Sequence, residues 1–147
     1  MKKILSVILL SGLVISGCHQ KQDESGAIKK LLEKESATWR AGDIKEHAAC
    51  WHIQPYSRIL VSTADGRTID VPPGNMTNPS TKMGNGGSSV NTNYKMNING
   101  DNAWVSHDEE STGKDGIKTY SFEIRILEKI NDQWKLTGQS IHIYKPR

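Results

Sequence analysis

Over residues 117–144 apolar and polar positions alternate. Tyr120, Phe122, Ile124 and Ile126 are interleaved with Thr119, Ser121, Glu123 and Arg125. A period of two predicts a half-buried strand. Asn131-Asp132-Gln133 interrupts the pattern as a hairpin loop, and Trp134 opens the next strand. Upstream, residues 58–63 read as a strand, 64–67 as a turn and 68–71 as a short return strand. Val90, Tyr94, Met96 and Ile98 alternate as a further strand. Asn99-Gly100 is a two-residue hairpin signal, the following strand runs from Asn102 to about Ser111, and residues 113–116 turn the chain into the C-terminal ribbon. Residues 72–89, rich in Gly, Pro, Asn and Ser, predict a long loop that could cover a pocket.

Before the strands the period changes. Ile28, Leu31, Leu32, Glu35 and Trp39 form one stripe at helical spacing, with Lys29, Lys30, Glu33, Lys34 and Arg40 off it. Ser25 is the expected N-cap, and Gly42 the C-terminal stop. Asp43, with Glu46 three residues on, caps a second helix whose apolar side is Ile44, Ala48 and Trp51. Glu35 stands in the middle of the apolar stripe. Burying a lone carboxylate is costly, so it must reach a partner, a pocket or water.

Turn lengths assign faces, because directly opposed residues on paired strands share one. A two-residue loop at 99–100 sets Met96 against Ala103, Tyr94 against Val105 and Thr92 against His107. A four-residue loop at 113–116 sets Val105 against Ile124, His107 against Phe122 and Glu109 against Tyr120. A three-residue loop at 131–133 sets His142 against Phe122 and Tyr144 against Tyr120. The inner face then carries His107, Phe122 and His142 as one row and Glu109, Tyr120 and Tyr144 as the next. With Glu35 and Trp39 these make the expected pocket. Ile141 and Ile143 fall outside with Trp104, an apolar patch suited to a dimer interface. A slip of one residue in any loop would reverse the strand that follows it.

The N-terminus adds a compartment. Met1-Lys2-Lys3 is basic, and residues 4–15 are apolar apart from serines and Gly12, too short a run to span a bilayer permanently. It ends Ile15-Ser16-Gly17-Cys18, which resembles a bacterial lipobox, where the cysteine thiol is acylated and becomes the mature N-terminus. Several acyl chains hold a protein on a membrane where one would not. The expected division is a signal peptide at 1–17, a lipidated tether at 18–25 and one domain at 26–147. The expected location is the bacterial cell envelope: outer membrane, periplasmic or surface-exposed. The alternative is an ordinary cleaved signal with an accidental cysteine. Cys50 then has no disulfide partner in the chain and reads as a buried thiol. The polar run 19–25 resembles the surface-export signals of some Bacteroidota lipoproteins, a plain solvated linker being the alternative.

At 147 residues the chain has room for one domain with a core. Without Lys2 and Lys3, 17 basic residues face 16 acidic ones, so no basic field points to nucleic acid. No phosphate loop, nucleophile elbow or HExxH motif occurs, and no cofactor is expected. His107-Asp108-Glu109 looks ligand-like, yet alternate strand residues point opposite ways, so no metal site is expected.

Trp39-Arg-Ala-Gly-Asp43, Ala48-Ala-Cys-Trp51, Asp101-Asn-Ala-Trp-Val105 and Asp132-Gln-Trp-Lys-Leu136, spread over most of residues 28–144, resemble the nuclear transport factor 2-like superfamily. That group includes SnoaL-like cyclases and ketosteroid isomerase. The resemblance implies an α+β fold: a cone-shaped curved antiparallel sheet wrapped around N-terminal helices (cystatin-like), with a pocket between helices and sheet, and a homodimer formed through the sheet. The isomerase's enolate-donating Tyr is replaced here by Glu35, and its catalytic Asp would fall near Ile59 or Leu60. Isomerase chemistry is therefore not implied. Fold does not choose function, and three readings stay open. One is a lipid-anchored binder of a small apolar or amphipathic ligand or a peptide. Another is a SnoaL-like enzyme using Glu35, His107 or His142 for acid–base chemistry. The last is a non-catalytic assembly module.

Overall fold

The structure, a computed structural model, describes residues 23–78, 84 and 86–146. The leader, Cys18 and the middle of the expected pocket-covering loop lie outside the described residues. The first helix, α1, spans Glu24–Ala41 and buries Ile28, Leu32, Glu35 and Ser36, the stripe its periodicity announces. Its N-cap is Asp23 rather than Ser25: the Asp23 carboxylate accepts the Gly26 N–H at 3.0 Å. Gly42, at φ 71°, closes the helix as expected, since a left-handed C-terminal residue lets backbone N–H groups return to the last carbonyls. Asp43 caps α2, Ile44–Ala48, by accepting the Glu46 N–H at 3.1 Å.

Six strands follow: β1 Ile59–Ser62, β2 Thr68–Val71, β3 Ser88–Asn99, β4 Asn102–Thr112, β5 Lys118–Ile130 and β6 Gln133–Tyr144. They form one open sheet in the order β2-β1-β6-β5-β4-β3. Neighbours are antiparallel except β1 and β6, which run parallel, so the sheet is mixed. With α1 packed against it, the whole is an α+β cone. One end is dry. Ile28 and Leu32 of α1 meet Ala103 and Val105 of β4, Leu127 of β5 and Leu136 of β6, all buried. Cys50, also buried, donates to the Glu46 carbonyl, and burial pushes its thiol up to about 11.

The register differs from the expected one in a consequential way. Between β3 and β4 the turn is Gly100-Asp101, with Ile98 opposite Ala103. That is a shift of two, so Tyr94, Met96 and Ile98 keep the inner face. A bulge between Thr92 and Lys95, with Asn93 at φ 54°, turns Val90 outward instead. Between β4 and β5 the shift is one. Thr112 pairs with Lys118, because the loop holds five residues rather than four. The Gly113 N–H reaches the Ile117 carbonyl at 2.9 Å, and Gly116 adopts φ 79°. Val105 therefore faces Arg125, His107 faces Glu123 and Glu109 faces Ser121.

This slip corrects part of the expected pocket. Phe122, Ile124 and Ile126 lie on the outer face with Trp104, each between 43% and 52% exposed. Ser121, Glu123, Arg125 and Leu127 take the inner face and are buried. Phe122 does pair with His142, and Tyr120 with Tyr144, as expected. A two-residue turn and a bulge after Ile126 give the same pairing as the anticipated three-residue loop. The pairs travel with β5, however, so Phe122, His142 and Tyr144 leave the pocket. Tyr144 stacks on Phe122 at 4.5 Å, and His142 bonds the Ser140 hydroxyl at 2.9 Å. Ile141 and Ile143, expected outside, turn inward.

Adjacent positions on β5 test the register. Leu127→Ala is expected to cost about 2–5 kcal/mol, the range for a truncated core leucine. Ile126→Ala is expected to cost far less in urea unfolding of dilute, monomeric protein. The reverse ranking would restore the four-residue loop.

Candidate functional site

Beyond the dry end, where α1 finishes, the cone holds a cavity of about 260 Å³. Trp39, Val61, Val71, Met76, Ile141 and Ile143 make an apolar wall. Opposite them stand charged and hydroxyl groups from α1 and the inner faces of β4, β5 and β6. Glu35, Ser36 and Arg40 reach it because they continue the buried stripe of α1 into its last turns. Glu109 reaches it on the inner parity of β4 that the sequence already assigned, and Ser121, Glu123, Arg125 and Gln139 reach it because the five-residue loop turns those parities inward.

Arg125 is the hub. It bonds Glu123 and Gln139 closely and Glu35 at 3.4 Å. The Ser121 hydroxyl donates to the other Glu123 oxygen at 2.9 Å. Glu35 also meets His47 Nε2 at 2.9 Å, while His47 Nδ1 meets the Met76 carbonyl at 2.9 Å. The carbonyl can only accept, so Nδ1 carries a proton. Nε2 then faces a carboxylate, and one further proton must lie between His47 and Glu35. His47 is sealed from solvent between the rings of Trp39 and Trp51. A second carboxylate, Glu109, is held by Arg40 and accepts the Ser36 hydroxyl at 3.0 Å.

The carboxylates are tuned apart. Burial pushes Glu35 up, but the Arg125 guanidinium and the His47 ring more than offset it and hold it below its ordinary value. For Glu109, burial and then the Glu123 charge outweigh Arg40 and raise it. Burial and the nearby Arg125 lower His107, keeping it neutral. Its ring packs on Tyr94 at 5.2 Å, and Nε2 lies 3.6 Å from Glu123.

Of the expected pocket residues, Glu35, Trp39 and Glu109 line the cavity and Tyr120 touches its mouth. His107 lies on the inner face but behind the cavity lining. Phe122, His142 and Tyr144 are on the other side of the sheet. Sequence reasoning missed His47, Arg40, Arg125, Glu123 and Gln139. His47 had a signal: with Ile44, Ala48 and Trp51 it completes a helical stripe. Glu123 and Arg125 had none beyond a parity that hung on one loop residue. Among the described residues no cluster of three or more His, Cys, Asp or Glu side chains is placed to hold a metal. No described helix is long and apolar enough to cross a membrane.

No family model matches this sequence, and no curated protein matches it in sequence. Solved structures do match in shape. A nuclear transport factor 2-like protein from Cytophaga hutchinsonii superposes with a TM-score of 0.61 at 16% identity, covering 82% of this chain and 98% of its own. A nuclear transport factor 2-like protein with a cystatin-like fold from Novosphingobium aromaticivorans gives 0.60 at 11% identity, covering 84% and 83%. A protein with a cystatin-like fold from Nostoc punctiforme gives 0.60 at 14% identity, covering 81% and 90%. At such identities the likeness is one of fold, and the fold is the nuclear transport factor 2-like one that the sequence motifs anticipated.

Breaking the ion network should be costly. Glu35→Gln leaves Arg125 and His47 short of one carboxylate, with an expected loss of about 3–5 kcal/mol at pH 7. Because folding depresses the Glu35 value below the ordinary 4.5, its contribution is complete above that pH and is lost as pH falls through the folded value. Urea unfolding of wild type and variant should therefore differ fully at pH 5–8 and converge only under more acid conditions. Convergence already at pH 6 would show that Glu35 is not the ionised partner.

Proposed function

We propose that this is a lipid-anchored envelope protein, held through Cys18, that binds a small amphipathic molecule in the cone cavity. The single observation that carries the binding reading is the division of that cavity. One wall is aliphatic and aromatic, the facing wall is a fixed array of charges and hydroxyls, and among the described residues no side chain fills the space between. Ligand sites are built this way, apolar for affinity with a few placed polar groups for orientation. About 260 Å³ lies just below the usual range of about 300–1,000 Å³, which favours a small molecule over a peptide. Ser36, Ser121 and Gln139 can address a polar head while Val61, Val71, Met76 and Ile141 cover its apolar side.

The enzyme reading keeps one specific support. Glu35 is pushed down and Glu109 up within one cavity, and separated carboxyl values are what acid–base roles require. His142 and His107 no longer support it, because neither lines the cavity. We also propose a homodimer through the outer sheet face, where Trp104, Phe122, Ile124 and Ile126 form an unpartnered apolar strip.

Two measurements check these proposals. Thermal-shift screening of small amphiphiles should find compounds that stabilise the protein, by about 2.7 kcal/mol at a hundredfold excess over Kd. Ile141→Trp, which fills the cavity, should abolish the shift while leaving the circular dichroism spectrum intact. Undiminished binding by that variant would exclude the cavity. For the dimer, sedimentation of the unlipidated, leaderless protein should give twice the mass of one such chain, and the mass of one chain after Ile124→Lys. A wild-type monomer at high concentration would remove the interface.

A further inference from the structure

The described wall of the cavity carries three carboxylates, Glu35, Glu109 and Glu123, and two guanidiniums, Arg40 and Arg125. Behind it, one extra proton lies between His47 and Glu35. Whichever of the two holds that proton, the pair sums to zero charge. Arg40 balances Glu109, and Arg125 balances Glu123. His107, kept neutral by its burial and by Arg125, adds nothing. The charges of the described wall therefore cancel.

The hydrogen bonds do not balance in the same way. Every carboxylate oxygen already has a donor. Glu35 accepts from His47 and Arg125, Glu109 from Arg40 and the Ser36 hydroxyl, and Glu123 from Arg125 and the Ser121 hydroxyl. Donors, by contrast, are left over. The buried Nε–H groups of Arg40 and Arg125 meet no acceptor among the described residues. Arg125 takes the Gln139 oxygen, which leaves the NH2 of that amide to give.

These two inventories discriminate between ligand heads. An ammonium only donates, and it would meet carboxylates that are already satisfied. A carboxylate accepts, but it brings a charge that nothing on the described wall is free to balance, and an unbalanced charge is costly to bury. An uncharged oxygen needs donors alone, and the wall has them. We infer that the cavity selects amphiphiles whose head is an uncharged, hydrogen-bond-accepting oxygen, such as an alcohol or an ether, over carboxylates and amines of the same chain length. The inference rests on the binding cavity proposed above and is independent of the membrane anchor. Glu109 is the residue on which the selection turns. Among the described residues it is the one carboxylate paired with Arg40, so its removal gives the wall a net positive charge and should open the cavity to anions.

The test titrates the protein at pH 8 with four six-carbon probes, following amide chemical shifts by NMR. The probes are hexanol, methyl pentyl ether, hexanoate and hexylammonium. Hexanol and the ether should bind within a few-fold of each other, and at least tenfold more tightly than either ion. In Glu109→Gln, hexanoate should gain at least tenfold relative to hexanol. Hexanoate or hexylammonium binding wild type as tightly as hexanol overturns the charge rule, and this comparison needs no variant to fold. An ether tenfold weaker than hexanol overturns the accepting head. A folded Glu109→Gln that leaves the hexanoate-to-hexanol ratio unchanged removes Glu109 as its basis. Failure of the binding reading itself looks different: hexanol binding survives Ile141→Trp, or no probe binds and no amphiphile shifts thermal stability.

Discussion

Arg125 is the constraint from which the rest of the structure follows. A guanidinium cannot shed its proton to escape burial, and here it lies only 4% exposed on the inner face of the central strand. The fold must therefore bring it opposite charge and acceptors. Glu123 comes from its own strand, Gln139 from β6 and Glu35 from α1. Through Glu35 the demand extends to His47 on α2, and through His47 to the Met76 carbonyl. One side chain thus ties helix, sheet and the segment after β2 into a single arrangement. Partly satisfied networks of this kind are worse than an apolar core, which fits the anchoring of both carboxylate partners of Arg125, Glu123 by the Ser121 hydroxyl and Glu35 by the His47 ring.

The cone consequently divides into two materials. At the α1 N-terminus the interior is aliphatic and close-packed, and it supplies the stability that any such ion network needs around it. At the α1 C-terminus the interior is charged, and rigid charges hold the walls apart. The cavity is then a product of the same pairing. Glu35, Arg125 and Glu123 satisfy one another around its floor, so the opposite wall of Val61, Val71, Ile141 and Ile143 has no apolar counterpart to collapse onto.

The outer face follows from the same choice. Strand alternation means that placing Glu123 and Arg125 inside must place Phe122, Ile124 and Ile126 outside. A chain of this size ordinarily turns that row inward. Here the row is left exposed, and the proposed dimer interface is coupled to the polar-floored cavity: both stand on the direction in which β5 faces.

Local sequence was enough for the elements themselves. Period, caps and turn residues located α1, the start of α2 and all six strands to within a residue or two, because each signal is a short-range matter of backbone geometry; α2 ends at Ala48, short of the expected Trp51. Glu35 was legible too, since a carboxylate inside an apolar stripe needs a partner wherever the stripe goes. The pairing of Phe122 with His142 was also legible, although a bulge and a shorter turn produced it together. What sequence could not decide was the face of β5. That depended on whether residues 113–117 connect as four residues or five, and alternation is blind to which side is inside. The apolar row looked like the core, yet the tertiary structure buried the charged row, because only there could helix and sheet supply Arg125 with Glu35, Glu123 and Gln139. Partners drawn from α1, β5 and β6 are separated by up to about a hundred positions along the chain, and no local pattern carries that information.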